Sequence, residues 1–276
     1  MVFVERFFSA LVSPLDIRDY RVNLNRQEFP KTFILPTVSV KNQGSIGSCV
    51  AHACSSVVEF HNKRQEGTDI IFSTDFIYGY RPAGYYVGEG MYIRDALSTL
   101  RKVGDCPRNI LVGNTTYSKA MEKVEADLEK YKDAAYPHRI STYAKIKKTD
   151  EIKQALMDFG YVVVSMPWHK DATLVDGIYT FTSKKNRGYH CVVIYGWDER
   201  GWLVQNSWGQ FWGQEGRFIV PFDFKWKEAW AVTDKIIGEN DVIRPADSWF
   251  VKTFAPIINK LANTFWKLIN KLIRKN

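Results

Sequence analysis

The spacing of apolar residues changes along the chain, from helical periods in the first half to β-branched runs in the second. Residues 43 to about 135 contain stretches with a three- and four-residue period, including the charged segment 117–130. Beyond residue 160, runs rich in valine, isoleucine and aromatic residues predict strands at 161–166, 177–181, 188–197, 202–206 and 217–220. A capped helix is predicted at 149–156. The pattern therefore predicts an α+β fold with a helical lobe, about 43–135, before a β-rich lobe, about 136–235.

A glycine-punctuated loop leads into the first strongly apolar helix. Gly44 and Gly47 interrupt residues 43–48, and from Cys49 the chain continues at helical period. Ser48 is a candidate N-cap, which places Cys49 in the first turn of a buried helix. Backbone N–H groups and the helix dipole favour a thiolate there, and the thiolate is the reactive form of cysteine. Cys49 is therefore predicted to be a nucleophile.

A thiolate nucleophile needs a base and a group that orients the base. The strand 188–197 begins close to His190, and a turn then leads to a second strand that ends at Asn206. In such a hairpin the two residues lie near the same end, where the Asn206 amide oxygen can accept a hydrogen bond from the imidazole. Gln43, six residues before Cys49, can donate its amide to a developing oxyanion. The active site is predicted between the lobes.

These residues make the chain resemble the papain-like cysteine proteases. The family pattern combines a glutamine, a Gly-Ser-Cys loop, a histidine on a later strand, an Asn-Ser-Trp-Gly sequence, a Trp-Gly and a glycine. The matching residues are Gln43, Gly47, Ser48, Cys49, His190, Asn206, Ser207, Trp208, Gly209, Trp212, Gly213 and Gly216. The similarity covers about residues 33–235. It implies a papain-like two-lobe fold with a β-barrel-like second lobe, and a cysteine endopeptidase that hydrolyses proteins or peptides without a cofactor or metal.

The resemblance also implies a role for each catalytic residue. Cys49 forms a thioester acyl-enzyme, and His190 acts as acid and base while Asn206 orients its ring. Gln43 and the Cys49 backbone N–H stabilise the tetrahedral oxyanion. Trp208 shields the hydrogen bond between His190 and Asn206 from water. Acyl transfer to an amine uses the same groups as hydrolysis, so the two reactions remain alternatives.

The substrate-binding residues follow the family pattern less closely. The glycine pair that typically lines the cleft is half present, because Met91 follows Gly90. Gly90 is the better candidate for pairing with the substrate backbone. Met166 and Cys191 occupy positions like those that contact the substrate side chain in the family, which implies a modest apolar pocket.

Other departures concern disulfides and regulation. Ile46 and Val50 stand where the family usually has a cysteine and an aromatic residue, and the other cysteines, Cys54, Cys106 and Cys191, form no Cys-x-x-Cys pair. We expect no structural disulfide, as in a microbial or viral branch, and a reducing cytoplasm of a bacterial or virus-infected cell rather than secretion. Only 42 residues precede Gln43. The long inhibitory pro-segment of many relatives is expected to be absent or replaced.

The C-terminal segment has a different character. From residue 248 to 276 apolar residues recur mostly at three- and four-residue steps, with lysine and arginine mostly off that stripe. Such a basic amphipathic helix can lie on an anionic membrane surface, bind a protein partner or a second copy, or dock on its own domain. These alternatives stay open. The expected organisation is an N-terminal extension, a protease domain and this helix, at 1–32, 33–240 and 241–276.

The sequence supports other functional classes less well than a cysteine peptidase. A catalytically silent binding module is disfavoured by the intact Gln43, Cys49, His190 and Asn206 set, and membrane perturbation by the C-terminal helix is a further alternative. His52 is expected to be a hydrogen-bonded helix residue rather than the base. Zinc-type spacings and nucleotide motifs do not occur in the sequence. Most of the net charge of +8 lies on the C-terminal segment, so nucleic acid is not an expected partner.

Overall fold

The computed structural model of the protein describes residues 8–16, 19–22, 28–82, 88–234, 242–243 and 260. Its helices are α1 Cys49–Glu66, α2 Thr74–Gly79, α3 Ile93–Lys102, α4 Tyr117–Ala126, α5 Leu128–Ala135 and α6 Thr149–Asp158, with a 3-10 turn at Tyr136–His138. Its strands are β1 Ala10–Leu11, β2 Arg21–Val22, β3 Phe33–Ile34, β4 Met91–Tyr92, β5 Thr142–Ile146, β6 Val162–His169, β7 Thr173–Val175, β8 Ile178–Thr180, β9 Asn186–Asp198, β10 Gly201–Gln205, β11 Arg217–Val220, β12 Glu228–Thr233 and β13 Val242–Ile243. Helices thus dominate before residue 136 and strands after it, which confirms the predicted α+β class.

The β lobe is organised around one long strand. Strand β9 has 13 residues and pairs antiparallel with β6, β10 and β3. The full order is β13-β2-β5-β12-β6-β9-β10-β11-β8-β7. Because neighbouring side chains on a strand point to opposite faces, Cys191 and Val193 pack in the core beside α1, whereas Val192 and Ile194 pack in the core that contains α6. Strand β9 therefore connects the two cores.

Helix α1 is the centre of the helical lobe. Every residue from Cys49 to Asn62 is buried, because the helix packs against α2 and α3 on one side and against β9 on the other. The helix ends at Gly67, which adopts a left-handed φ of 68° and donates its N–H to the Lys63 carbonyl at 3.0 Å. This packing holds the N-terminal turn of α1 against the sheet.

The expected N-terminal extension, residues 1–32, is not a separate unit where it is described. Strand β2 pairs with β5, and β3, which follows the expected boundary, pairs with β9. Strand β1 pairs in parallel with β4 of the helical lobe. Backbone groups at open strand edges need partners, and these N-terminal strands supply them.

Two further sequence predictions differ in part from the structure. The predicted helix at 117–130 is interrupted at Asp127, where φ is −150° and ψ is 53°, so that α4 and α5 are separate helices. Of the expected helix at 241–276, only strand β13 and Lys260, which is helical, lie within the described residues. All four cysteines are described, and none forms a disulfide. Within the described ranges, no helix has the length and apolar composition needed to cross a membrane.

A buried ion pair joins the loop before the active-site helix to the helix itself. Lys41 Nζ lies 2.6 Å from Glu59 Oε2 and 3.1 Å from Ser56 Oγ, while Glu59 Oε1 accepts the Phe72 N–H at 3.1 Å. The side chains of Lys41 and Glu59 are only 9% and 4% exposed. Burial raises the pKa of Glu59, and the nearby Lys41 ammonium opposes that shift. The pair therefore fixes Lys41, two residues before Gln43, to α1.

Replacing Lys41 with methionine leaves Glu59 as a buried carboxylate without its partner. We expect the free energy of unfolding to fall by about 3 to 5 kcal/mol, the usual effect of removing one member of a buried pair. The matched control is Lys63→Met, because Lys63 pairs with Asp69 on the surface, where about 1 kcal/mol or less is expected. Denaturant unfolding followed by fluorescence measures both, and equal losses in the two variants would contradict the assignment.

Candidate active site

The thiol of Cys49 lies at the first residue of α1, as predicted. Ser48 is the N-cap residue of α1, as predicted, but its side chain forms no cap bond, and its hydroxyl lies 3.2 Å from His52 Nδ1. His52 Nδ1 is also 2.9 Å from the Ser48 carbonyl oxygen, to which it donates. Ser48 therefore positions the first turn through His52 rather than through the helix N–H groups.

The imidazole and the amide predicted as partners are in contact. Strands β9 and β10 form a hairpin in which Gln205 lies opposite Val193, and Asn206 follows at the end of β10. His190 Nε2 lies 2.7 Å from Asn206 Oδ1, and both residues are buried. Asn206 Oδ1 also accepts the Ser207 N–H at 2.8 Å, which fixes the orientation of the amide. With its Nε2–H held by Asn206, the ring has its tautomer and its plane defined.

A tryptophan covers this pair. The Trp208 ring stacks on the His190 ring with centroids 4.7 Å apart and an interplanar angle of 30°. Trp208 itself is buried and packs against Trp212 at 5.0 Å. The predicted position of Trp208 over the imidazole agrees with the structure.

Gln43 joins the loop of the helical lobe to the end of the hairpin. Its backbone N–H donates to the Ser207 carbonyl at 2.8 Å, and its Oε1 accepts the Ser207 hydroxyl at 2.5 Å. Its Nε2 donates to the Ile46 carbonyl at 2.9 Å, within the loop that precedes Cys49. Because the oxygen is held by Ser207, the amide N–H groups face the loop and the N-terminus of α1. Ser207 was matched in sequence but given no role; the structure shows that it positions Gln43.

The environment of the Cys49 thiol is closed. Cys49 is fully buried, and burial raises the pKa of its thiol. Backbone hydrogen bonds from Cys191 and Ser9 and the Ser9 hydroxyl, 3.8 Å from Sγ, lower the pKa and only partly oppose this. Cys191 is the residue after His190, so the Cys49 thiol lies next to the part of β9 that carries the imidazole.

The group that covers Cys49 is the chain's own N-terminal segment, residues 8–11, which we call the strap. Ser9 forms a parallel bridge with Tyr189, next to His190. Ala10 and Leu11 then pair in parallel with Met91 and Tyr92. The strap therefore crosses the cleft from one lobe to the other, directly over the thiol.

Gly90, predicted to pair with the substrate backbone, makes its own hydrogen bonds within the helical lobe in this form, and its pairing with substrate stays a prediction. The Gly90 N–H donates to the Tyr78 hydroxyl at 2.9 Å, and its carbonyl accepts the Arg81 guanidinium. Both polar groups of Gly90 are thus used within the helical lobe, and Met91 is the residue that pairs with a strand in the cleft. Gly90 instead allows a close approach, since a Cβ at its φ of 100° would lie 2.4 Å from the Ser9 carbonyl oxygen.

Met166 and Cys191 do not line one pocket. Met166 lies opposite His190 and its neighbour Ser165 lies opposite Cys191, so their side chains point to opposite faces of the sheet. Met166 is fully buried in the β-lobe core, whereas Cys191 packs beside Cys49. The sequence prediction overlooked Trp168, which follows Met166 on the face of His190. Its place beside His190 emerges only in the structure, because the register between β6 and β9 shifts between Pro167 and His169.

His52 is a buried helix residue whose Nδ1 is held by the Ser48 carbonyl oxygen, which matches the hydrogen-bonded helix histidine that was expected. Burial lowers its pKa to about 3, although the hydrogen bond with the Ser48 backbone opposes that shift. The folded state therefore binds fewer protons at His52 than the unfolded state, whose pKa is 6.5. Protonation of His52 in the unfolded state therefore lowers the free energy of unfolding as the pH drops from 6.5 towards 3.

We expect the ring signals of His52 to remain those of a neutral imidazole from pH 8 down to about 4, because its pKa is far below the ordinary range. The measurement is an NMR pH titration of histidine-labelled protein, with His52→Gln to assign the signals. A His52 midpoint between about pH 5 and 7 would contradict this environment.

The comparisons with known proteins agree with this geometry. The sequence model of the papain family cysteine proteases matches residues 32–225. An uncharacterized peptidase C1-like protein of Acanthamoeba polyphaga mimivirus is 29% identical over 242 residues, 76% of each chain. The cathepsin B-like cysteine proteinase 3 of Caenorhabditis elegans is 28% identical over 66% of this chain and 56% of its own.

Among solved structures, xylellain, a cysteine protease from Xylella fastidiosa, superposes with a TM-score of 0.72 at 24% identity. The match covers 86% of this chain and all of xylellain, and it shows that the two share a fold. Viral and bacterial proteins among these relatives fit the predicted microbial or viral branch. The chain belongs to the papain family of cysteine proteases.

Proposed function

We propose that the protein is a cysteine endopeptidase that hydrolyses peptide bonds through a Cys49 thioester. The observation that carries this proposal is the 2.7 Å contact between His190 Nε2 and Asn206 Oδ1 beside a cysteine that begins a buried helix. A held imidazole beside a thiol at a helix N-terminus is the arrangement that generates a thiolate–imidazolium pair. A catalytically silent module has no need of this buried hydrogen bond.

The proposed reaction begins when the Cys49 thiolate attacks the scissile carbonyl carbon. A C–S bond forms, and the negative charge on oxygen is stabilised by the Gln43 amide and the Cys49 backbone N–H. His190 gives its proton to the leaving amine as the C–N bond breaks. His190 then takes a proton from water, whose oxygen attacks the thioester, and the acid product leaves with the thiol restored.

The strap restrains this chemistry in the form described here. The groups that it directs at Sγ are the backbone N–H and the hydroxyl of Ser9, the hydroxyl oxygen lying 3.8 Å from the sulfur. These contacts occupy the space beside Sγ that a substrate would need. Access to Cys49 requires that residues 8–11 leave the cleft.

The other predicted partners and the compartment remain proposals. The basic segment 248–276 lies outside the described residues apart from Lys260, so its role at an anionic membrane or a protein partner stays a prediction. The reducing cytoplasm likewise stays a prediction. Acyl transfer to an amine differs from hydrolysis only in the group that attacks the thioester.

We expect Cys49→Ala to abolish peptidase activity and labelling by an E-64-type epoxide while the protein still folds. Cys106→Ala is the matched control, since Cys106 is also a buried free thiol but packs in the helical lobe away from His190. Intact mass spectrometry after epoxide treatment measures labelling, and circular dichroism checks the fold. Labelling of Cys49→Ala at the rate of the unsubstituted protein would overturn the assignment.

We expect Ala10→Asp to increase the labelling rate of Cys49. Ala10 is buried in the strap, and an unpaired carboxylate there favours release, which we expect to speed labelling by about 10-fold or more. Burial is the main cause of the raised thiol pKa, so the midpoint of the pH–rate profile should also move to lower pH.

The matched control for strap release is Leu15→Asp, because Leu15 is 75% exposed just after the strap. It introduces the same charge without disturbing the β1–β4 pairing. Phe8→Ala is a second release variant, which keeps the test valid should Ala10→Asp fold poorly. Equal labelling rates in the release variants and in Leu15→Asp would show that the strap does not limit access.

A further inference from the structure

The ring of Phe8 occupies an aromatic pocket beside the catalytic imidazole. It stacks on Trp168 with centroids 5.9 Å apart and an interplanar angle of 22°. It meets the edges of His190 at 6.2 Å and Trp208 at 6.1 Å, at angles of 84° and 76°. Stacked and edge-to-face contacts are the favourable geometries for aromatic pairs. Phe8 therefore shows where an aromatic side chain fits in the cleft.

The Trp168 ring that forms one side of this pocket is fixed by other aromatic rings packed against it. Trp168 packs against Trp208 at 4.6 Å, Tyr179 at 5.0 Å and Phe218 at 6.1 Å. It is only 8% exposed, so its indole has little freedom to move. A surface fixed in this way loses little conformational freedom when a ligand ring stacks on it.

The pocket has room for the Phe8 ring because residue 188 is a glycine and has no side chain. A Cβ at Gly188 would lie 2.7 Å from Phe8 Cβ and 2.8 Å from the Phe8 carbonyl oxygen. Any other residue there would displace the segment that carries the aromatic ring. Gly188 and Trp168 thus make room for an aromatic residue and supply the surface on which it stacks.

The position of the pocket relative to the catalytic groups identifies which half of a substrate it contacts. The strap passes Cys49 at Ser9 and reaches Met91 and Tyr92 on the helical lobe, whereas Phe8 lies on the opposite side, against His190. In the proposed reaction the acyl half stays on Cys49 and the amine departs after protonation by His190. A side chain in contact with the His190 ring therefore belongs to the leaving amine.

We propose that Trp168 is a specificity-determining residue that selects an aromatic side chain on the amine half of the substrate. This inference rests on the proposed peptidase function and deepens it, because it names the chemical class of residue that follows the cleaved bond. Phe8 imitates that residue in the closed form. The same pocket receives the incoming amine when the thioester is attacked by an amine instead of water.

Amine capture provides a direct assay of this pocket. A thioester on Cys49 reacts with an amino acid amide: its C–S bond breaks, a C–N bond forms, and the ammonium proton passes through His190 to the released thiolate. Phenylalaninamide and alaninamide differ only in the side chain that would enter the pocket. The ratio of their rate constants of capture therefore measures the selectivity of the pocket without any assumption about the acyl half.

The experiment uses the full chain with Ala10→Asp to release the strap, an ester acyl donor, and product analysis by mass spectrometry. We expect phenylalaninamide to capture the acyl-enzyme about 10-fold or more faster than alaninamide. Trp168→Leu should lower this ratio by about 2- to 12-fold, the factor that corresponds to an aromatic pair beyond its area burial. Trp168→Phe, which keeps an aromatic surface, should retain most of the ratio.

Trp226→Ala is the matched control, because Trp226 packs on Phe224 in the β lobe and lies outside the cleft; its ratio should be unchanged. Epoxide labelling of Cys49 in each variant separates the two hypotheses. A protein whose Cys49 is neither labelled nor acylated overturns the proposed function and this inference with it. If Cys49 is acylated normally but the ratio of phenylalaninamide to alaninamide capture is the same in Trp168→Leu as in the parent protein, the inference alone is overturned.

Discussion

The active site depends on the contact between Gln43 and Ser207, which joins two lobes that carry different halves of the chemistry. The helical lobe supplies the thiol at the start of α1, and the β lobe supplies the imidazole and amide on the β9–β10 hairpin. Two hydrogen bonds between Gln43 and Ser207, one from the backbone N–H and one to the side-chain oxygen, set the distance between these parts. The Lys41–Glu59 pair then fixes the same loop to α1. Because these groups are buried, a displacement of either lobe would leave polar atoms without partners, which is energetically unfavourable.

Each lobe presents a strand edge to the cleft, and an extended peptide can pair with both edges. Met91 and Tyr189 present edges from the two lobes, and a segment of the same chain pairs with both. Side chains then add selectivity, since the ring of Phe8 stacks on Trp168 whereas Ser9 directs its hydroxyl at Cys49. Main-chain pairing gives affinity for any extended peptide, and the pockets for alternate side chains decide which peptide fits. Occupancy by the strap and recognition of a substrate therefore use the same surfaces.

The sequence predicted the α+β class, the hairpin and the positions of Cys49, His190 and Asn206, because those residues lie in local patterns of loop, helix and strand. It did not predict which residue presents the pairing edge. In the structure Tyr78 and Arg81 occupy the backbone groups of Gly90, whereas Met91 pairs with the strap. The error at Met166 comes from the pairing of two strands, since only the register between β6 and β9 places Ser165 opposite Cys191 and Met166 opposite His190. The strap was not predictable from local patterns, because its short strand is stabilised by partners about 80 and 180 residues further along the chain.

The parallel strand β1 has a consequence for any molecule that binds the cleft. A covalently attached occupant competes at a fixed effective concentration, whatever the protein concentration. The apparent affinity of a ligand is its intrinsic affinity multiplied by the fraction of molecules whose cleft is open, so an open fraction of about 1% weakens it about 100-fold. At high ligand concentration the rate of binding reaches a limit set by the departure of Ser9 from Cys49. Two ligands of very different strength would then associate at the same rate, and only their dissociation would distinguish them.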